Sequence, residues 1–320
     1  MFHMTFETFW TGMNHIDFLN KEASEGIKTR GYSSSAQIPS DLANPKWFLA
    51  VNDIAYSYCP TNRYLYLRKV EDKRPKQTWE SYKGKILDEL IPEIYKRVHE
   101  YSTATALRNL NINEDVRKLL NEIVESYKSN LKPDQLLVVP SETDVDQFFN
   151  DLIRLSTYEI GIASSFLNFR VSNLYDINVA SEFNVLFPFD FKLKISAPSL
   201  GIAGSAEVDF LIRKSIVGEI KSTEWFEFYN IGLAGYALAL EADRKMDINL
   251  GAVLCPIFTR ERTVPIFHSN SNIKIISESW RTMFLLNRNS RIEIVKNGKD
   301  PGRPKTNAKC NGCGFQQVCW

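Results

Sequence analysis

Two acids and a lysine lie in an apolar stretch near the middle of the chain, AEVDFLIRKSIVGEIKST at residues 206–223. Strands this rich in β-branched and aromatic residues normally carry charge only on a solvated face, so Asp209, Glu219 and Lys221 require an explanation. Alternate side chains of a strand share a face, which places Glu219 and Lys221 together. The turn at residues 213–215 is predicted to fold Asp209 back toward them.

This combination of residues is suited to metal-dependent phosphate chemistry. Two carboxylates that converge at a sheet edge can bind Mg²⁺, which keeps several water ligands. The metal lowers the pKa of a bound water, and an ammonium such as that of Lys221 can position the water or stabilise charge on a phosphate. The alternative is an ion pair on a solvated face, which contributes less than about 1 kcal/mol. The spacing alone leaves both interpretations open.

The five cysteines provide a second candidate site. Three of them, Cys310, Cys313 and Cys319, lie in the segment CNGCGFQQVCW. In a cytosolic protein such a cluster indicates metal binding rather than disulfides. A four-thiolate centre needs a further ligand, and Cys59 is favoured over Cys255, because Cys255 lies in the apolar segment GAVLCPIF, where cysteine usually packs as a small hydrophobic residue. The spacing alone does not distinguish a zinc site from an iron–sulfur cluster.

The elements that must position these residues are predicted from hydrophobic periodicity. Residues 1–45 are predicted to be an N-terminal extension that ends in a mobile loop, RGYSSSAQIPSDLANP. A helical portion follows at about residues 80–170, and from residue 183 the apolar period changes toward two. Strands are predicted in FNVLFPFDFKLKIS, AEVDFLI, SIVGEIKS, NLGAVLCPIF and KIISES, with a helix in EFYNIGLAGYALALEADRK. The segment NRNSRIEIVKNGKDPGRPKTNAK is predicted to be a connector to the cysteines.

The bulk composition limits the classes of protein that the chain can represent. Its 320 residues, 44% of them hydrophobic, can bury a substantial core, and helices followed by a sheet with one crossover helix favour a single α/β or α+β domain. The 39 basic and 38 acidic residues nearly cancel, so any DNA-binding surface must be a local patch. No apolar run approaches a membrane span, which predicts a soluble, cytoplasmic protein. Arg63, Tyr64 and Arg68 form one plausible patch for phosphate contacts and base stacking, and these tyrosines could equally be core residues.

With the cysteines added, the pattern of Asp209, Glu219 and Lys221 resembles the PD-(D/E)xK nuclease core and, more closely, the RecB-like iron–sulfur nucleases of CRISPR adaptation modules. The resemblance runs from about residue 55 onward, and the chain length fits the longer archaeal variant found in type I-A systems. It implies a single RecB-like domain over residues 46–320, with a nuclease core at about 183–295. The segment 310–320 would close on the fourth cysteine. The implied cofactors and residues are a [4Fe–4S] cluster on Cys59, Cys310, Cys313 and Cys319, and Mg²⁺ or Mn²⁺ on Asp88, Asp209, Glu219 and the carbonyl of Ile220.

Two positions depart from the family pattern. The family usually places a metal-binding histidine four residues after a glycine on a helix, whereas Gly84 is followed by Asp88 here. In the QxxxY motif, Tyr236 is kept as a candidate DNA contact, and Gly232 stands at the glutamine position. The resemblance therefore implies a metal-dependent exonuclease or endonuclease that processes DNA ends for spacer acquisition, with DNA and the adaptation integrase as partners. The alternatives are a catalytically weak iron–sulfur adaptor that binds DNA and a zinc-stabilised structural protein.

Overall fold

The computed structural model describes most of the chain in separate ranges, namely residues 16–55, 59–104, 112–130, 136–137, 139–154, 157, 189–212, 215–222, 226–254, 273–305, 310 and 313–319. The helices are α1 Ile16–Gly26, α2 Val51–Ala55, α3 Arg63–Lys69, α4 Trp79–Ala104, α5 Ile112–Ser129, α6 Phe228–Arg244, α7 Glu278–Asn297 and α8 Gln316–Cys319. Residues 142–154 are also helical. The strands are β1 Phe189–Ser196, β2 Ser205–Ile212, β3 Ile216–Ile220, β4 Leu250–Leu254 and β5 Lys274–Ile275.

These strands form one mixed sheet in the order β1-β2-β3-β4-β5. The first three strands are antiparallel, β3 and β4 are parallel, and β5 returns antiparallel to β4. A parallel pair needs a crossover connection, and α6 supplies it between β3 and β4. The predicted hairpin and crossover helix are confirmed, and so is the mixed α/β class. Parts of the predicted first and fourth strands, including Cys255, lie outside the described residues.

Each face of the sheet packs against its own set of helices. One core contains side chains of α2, α3, α6 and α7 together with Val217 and Val253. The other contains side chains of α4 and α5 together with Ile216 and Ile220. Adjacent β3 residues therefore point to opposite cores, as the pleat requires. Glu219 has the same orientation as Val217, which directs it toward α6.

The β1–β2 ribbon changes faces in the middle, and this change decides where Asp209 points. Lys192 has a left-handed backbone with φ +54°, which is rare for a residue with a side chain and costs roughly 1–3 kcal/mol. Lys192 and Asp209 lie opposite each other, between the paired residues Phe191↔Phe210 and Leu193↔Val208. On one side of this pair of residues the ribbon packs in the core that contains α4, through Phe189, Phe191, Phe210 and Ile212. On the other side it packs in the core that contains α6, through Leu193, Ile195, Ala206 and Val208.

Helix α6 is the apolar centre of the fold, and its glycines permit close packing. A Cβ on Gly235 would lie 2.2 Å from the ring of Phe284 on α7, so only glycine fits there. The helix is otherwise almost completely buried, as its Ala- and Leu-rich sequence predicts.

Helix α7 corrects the predicted connector, because residues up to Asn297 are helical. Ser277 caps the helix by accepting a hydrogen bond from the Trp280 N–H, and Gly298 ends it with φ +60°. The sequence did not show that this helix is buried, because its buried side carries arginines. Arg288 is 1% exposed, and its guanidinium donates to the carbonyl oxygens of Ala36 and Leu200.

The segment predicted as a mobile loop is held by buried ionic contacts, so that prediction is not supported. Arg30 is 8% exposed and donates to Glu241 of α6 and to Asn249. Glu241 also accepts from Arg281 at 2.8 Å and from the Gly31 N–H at 2.8 Å. A buried charge is tolerated only when it is paired and hydrogen-bonded, and Glu241 meets both conditions.

Among the described helices, none is both long and apolar enough to cross a lipid bilayer.

Candidate active site

The middle of β2 and the end of β3 bring the predicted acids and lysine together. The Ile220 N–H donates to Asp209 Oδ2 at 2.8 Å, which fixes the Asp209 carboxylate against the end of β3. Lys221 Nζ lies 3.3 Å from Glu219 Oε1 and 5.5 Å from the ring centre of Tyr229. The ion pair and the aromatic ring together orient the ammonium.

Glu219 is the unusual member of this group, because it is 1% exposed. Its Oε1 atom has no hydrogen-bond partner, although the Lys221 ammonium is within ion-pair distance. Gly232 of α6 provides the space: a Cβ there would lie 3.2 Å from Glu219 Oε2. A cavity of about 190 Å³ opens beside this carboxylate, lined by Asn52, Ala55, Glu219, Lys221, Phe228, Tyr229 and Gly232.

The electrostatics of the group follow from burial and mutual repulsion. Burial raises the pKa of Asp209 to about 7, Lys221 opposes this, and Glu219 and Asp88 add to it. Burial likewise raises the pKa of Glu219 against the effect of Lys221. For Lys221, burial disfavours the charged form, but Glu219 and Asp209 outweigh it and raise the pKa. Carboxylates whose charge is this unfavourable gain from a divalent cation, since the cation restores the compensation that water no longer gives.

Asp88 approaches the same group from α4 and contacts it through Lys192. It forms an ion pair with Lys192, which also lies 3.4 Å from Glu207 Oε1 and 3.8 Å from Asp209 Oδ1. The sequence reasoning missed both Lys192 and Glu207. The alternating lysines of FKLKIS resemble a solvated strand face, and only the β1–β2 register shows that Lys192 lies opposite Asp209.

Tyr236 is 5% exposed and lies on the side of α6 that faces the acids. Burial raises its pKa well above the ordinary value, and the charges of Glu219 and Asp209 add to this effect. A buried tyrosine offers little surface to a DNA strand. Its placement favours a packed residue that shapes the site.

The predicted basic patch is largely occupied by internal contacts. Arg63 makes a bidentate pair with Asp300, with Nη2 2.8 Å from Oδ2, and donates to the Cys319 carbonyl oxygen at 2.8 Å. Tyr64 is 7% exposed and donates its hydroxyl to the Asp53 carbonyl oxygen. Arg68 pairs with buried Asp53 but keeps a side chain that is 47% exposed. Of the three, Arg68 alone retains an exposed surface suited to DNA.

The four predicted cluster cysteines line one cavity of about 620 Å³, the residues being Cys59, Cys310, Cys313 and Cys319. Burial raises the pKa of the Cys313 thiol, and the other three thiols raise it further, which is the signature of mutual proximity. Within the described residues, no three His, Cys, Asp or Glu side chains, whether of the cysteines or of the acids, are close enough to hold a single metal ion. Among the acids, the Lys192 ammonium lies between Asp88 and Asp209. Residues of α2, α3 and α8 are among those that line the cavity.

The donor chemistry of both sites fits the groups that the sequence predicted. Hard carboxylate oxygens suit Mg²⁺ or Mn²⁺, and Glu219 Oε1, which is ion-paired with Lys221 but accepts no hydrogen bond, is a candidate ligand atom. Soft thiolates suit zinc or an iron–sulfur cluster. Zinc requires four sulfurs about 2.3 Å from one point, whereas a cluster is held at its separate corners and tolerates a wider spacing.

Comparisons with known proteins give one family. The model of the family described as "CRISPR-associated exonuclease Csa1" matches residues 37–320. A protein of that name from Saccharolobus solfataricus is 28% identical over 187 residues, which cover 54% of this chain and 62% of that protein. Another of that name, from Thermoproteus tenax, is 24% identical over 279 residues, covering 85% of this chain and 84% of that protein. The first alignment thus covers less than two thirds of the relative. No solved structure gives a significant match.

Proposed function

The chain belongs to the family of the CRISPR-associated exonuclease Csa1, and from this premise we propose that it is a metal-dependent DNA nuclease that processes DNA ends for spacer acquisition. Its proposed partners are DNA and the integrase of the adaptation complex. The relatives named as exonucleases support the nuclease class.

The observation that carries the proposal is the burial of Glu219 within the group formed by Asp209, Lys221 and Asp88. An ion pair on a solvated face would leave the carboxylate exposed, whereas the Glu219 side chain is 2% exposed and the Lys221 side chain 21% exposed. Burying a carboxylate without full hydrogen bonding is costly, so a buried acid that only the Lys221 ammonium compensates is suited to binding a cation.

Asp88, Asp209, Glu219 and the carbonyl of Ile220 would hold Mg²⁺ or Mn²⁺. When bound, the metal supplies Lewis-acid stabilisation of the phosphate and a water of lowered pKa. The remaining contributions come from the chain. The Ile220 N–H holds Asp209 in one orientation, and Tyr229 and Glu219 hold the Lys221 ammonium. Lys221 then positions the attacking water or stabilises negative charge on the phosphate oxygens.

We propose that the second site holds a [4Fe–4S] cluster on Cys59, Cys310, Cys313 and Cys319. The cavity of about 620 Å³ that the four cysteines share supports a cluster over a single zinc ion. Arg63 would support this site structurally, because it joins α3 to Asp300 and to the Cys319 backbone.

The experiment that tests the function uses end-labelled single- and double-stranded DNA with Mg²⁺, Mn²⁺ or EDTA. A nuclease shortens or cuts the labelled strand in Mg²⁺ or Mn²⁺ and leaves it intact in EDTA. DNA that is left intact under all conditions by cluster-loaded protein would contradict the proposal.

A second candidate, an iron–sulfur adaptor that binds DNA ends without cutting, is favoured by two residues. Gly232 replaces the glutamine and Asp88 replaces the histidine that the resembled family carries. The same reaction mixtures decide between the candidates when they are also run on native gels. DNA that is shifted but never cut supports the adaptor.

A further inference from the structure

Lys192 is a cation inside the group of acids, and the backbone is distorted to place it there. Its φ of +54° lies in the left-handed region, which a lysine in a strand does not adopt without compensation. The distortion coincides with the change of faces in the β1–β2 ribbon, directly opposite Asp209. Irregularities of this kind in strands commonly redirect a side chain next to an active site.

The Lys192 ammonium contacts three acids from two elements. It pairs with Asp88 of α4 and lies 3.4 Å from Glu207 Oε1 and 3.8 Å from Asp209 Oδ1, both of β2, while its own residue belongs to β1. Two of these acids, Asp88 and Asp209, are the proposed metal ligands. The ammonium therefore occupies the space between them.

The charge balance explains why a cation is needed there. Asp88, Glu207, Asp209 and Glu219 supply four carboxylates, and Lys192 and Lys221 supply two ammonium groups. When all are ionised, two negative charges remain, which is the charge that one divalent cation neutralises. The Asp88, Lys192 and Glu207 side chains are 38%, 25% and 42% exposed, so an ion can enter from this side.

We propose that Lys192 is a built-in competitor of the metal: its ammonium holds the place of the divalent cation between Asp88 and Asp209 and must move aside when the cation binds. This inference rests on the proposed function, because it takes the acids to be a metal site. In the metal-free protein Lys192 limits the repulsion among the carboxylates, and in exchange it weakens the affinity for metal.

Mn²⁺ binding to the full-length, cluster-loaded chain tests the proposal, with free Mn²⁺ followed by electron paramagnetic resonance. Lys192→Met removes the charge and is expected to bind Mn²⁺ about tenfold more tightly than the native chain, since a like charge within 4 Å is removed. Lys192→Arg keeps the charge and is expected to bind Mn²⁺ with native affinity. Lys194→Met is the matched control, because Lys194 lies two residues along the same strand and is exposed.

Thermal unfolding provides a second readout, which does not depend on the spectroscopic measurement of free Mn²⁺. Without metal, Lys192→Met is expected to melt at a lower temperature than the native chain, because its carboxylates lose their compensation. Added Mn²⁺ is expected to raise its melting temperature by more than it raises that of the native chain. If Lys192→Met does not fold, Lys192→Gln provides a polar replacement for the same two measurements.

Two results separate the inference from the proposed function. Equal Mn²⁺ affinity in the native chain and in Lys192→Met overturns the inference and leaves the metal site standing. The absence of Mn²⁺ binding in both chains overturns the inference and the proposed metal dependence together. Mn²⁺ binding by Lys192→Met but not by the native chain would support the competition between Lys192 and the metal.

Discussion

At the scale of single residues, the proposed activity depends on Glu219. The carboxylate is buried, yet Oε1 has no hydrogen bond and Oε2 faces the bare backbone of Gly232. A side chain at residue 232 would compete for this space. Gly232 therefore determines how freely Glu219 can turn toward a metal.

Gly232→Ala is expected to separate stability from activity. Replacing glycine by alanine in a helix interior stabilises by up to about 1 kcal/mol, so the free energy of unfolding should be retained or slightly raised. The added Cβ would lie 3.2 Å from Glu219 Oε2 and would displace the carboxylate, which should lower the DNA cleavage rate by about tenfold or more. Urea unfolding and single-turnover cleavage measure the two effects.

Two glycines serve as controls for this variant. A Cβ at Gly26 would have no atom within 4 Å, so Gly26→Ala should change neither the free energy of unfolding nor the cleavage rate appreciably. Gly235→Ala would place a Cβ 2.2 Å from Phe284 and should destabilise by about 1–3 kcal/mol. Unchanged cleavage in Gly232→Ala would show that Glu219 does not need this space.

The sequence predicted that Asp209, Glu219 and Lys221 come together, because their types and spacing are recognisable in a hairpin pattern. It could not identify Lys192, because the pairing partner of a strand residue depends on register and the left-handed backbone at Lys192 has no signal in the sequence. It also placed Tyr64 on a DNA surface, since alternating tyrosines and basic residues fit a solvated face and a buried helix equally well.

At the scale of elements, helix α2 stands between the two candidate sites. Asn52 lines both the cavity beside Glu219 and the cavity of the cysteines. Cys59 follows α2 by four residues. The element that leads into the proposed cluster therefore also forms a wall of the active site, which gives a physical route for the loss of the cluster to affect catalysis.

The segment before α2 is fixed to α7 by a titratable contact that gives a pH prediction. Glu278 accepts from the Lys28 and Thr29 N–H groups, both at 2.9 Å. Burial disfavours the charge of Glu278, but the hydrogen bonds from Thr29 and Lys28 outweigh this and lower its pKa below the usual 4.5. The stability that it contributes is thus present above about pH 4.5 and is lost as the pH falls through the lowered value.

Glu278→Gln is expected to cost about 1–2 kcal/mol of unfolding free energy at pH 7, because hydrogen bonds to a charged acceptor are lost. The difference from the native chain should shrink below pH 4.5, where native Glu278 also becomes neutral. Urea unfolding across this range measures it, with exposed Glu122→Gln on α5 as the control. A difference that does not depend on pH would contradict the assigned role of the charge.

The helices and strands were predictable where periodicity was strong, as in α4, α5, α6, β2 and β3. Helix α7 was not, because three buried arginines, Arg281, Arg288 and Arg291, interrupt its apolar pattern. Their guanidinium groups are satisfied by carbonyl oxygens and by Glu241 from distant parts of the chain, such as Ala36 and Asp53. Contacts of this kind are set by tertiary structure and leave no local pattern.

At the scale of the whole molecule, the cysteines that line the shared cavity come from segments about 250 residues apart, as Cys59 and Cys310 show. A metal centre that closes so long a loop contributes to the free energy of folding. An iron–sulfur cluster would also give the protein visible absorbance. The contact of Arg63 with Asp300 and the Cys319 carbonyl oxygen supports the same closure.

Cys59→Ser and Cys313→Ser are each expected to lose bound iron and the absorbance near 400 nm of the anaerobically purified protein, and to melt at a lower temperature. Cys255→Ser should keep both the iron and the absorbance, because the sequence places Cys255 in the apolar segment GAVLCPIF, where cysteine usually packs as a small hydrophobic residue. Iron and zinc assays complete the measurement. One zinc with no iron in the native chain would contradict the cluster.

The most direct test of the proposed nuclease is single-turnover cleavage of end-labelled DNA in Mn²⁺ by three variants. Glu219→Gln and Lys221→Met are each expected to lower the rate at least about 100-fold while folding and iron content stay native. Glu122→Gln, on the exposed face of α5, is the matched control and should cut at the native rate. Native rates in both Glu219→Gln and Lys221→Met would contradict the account, because the chemistry would then lie away from the β2–β3 hairpin.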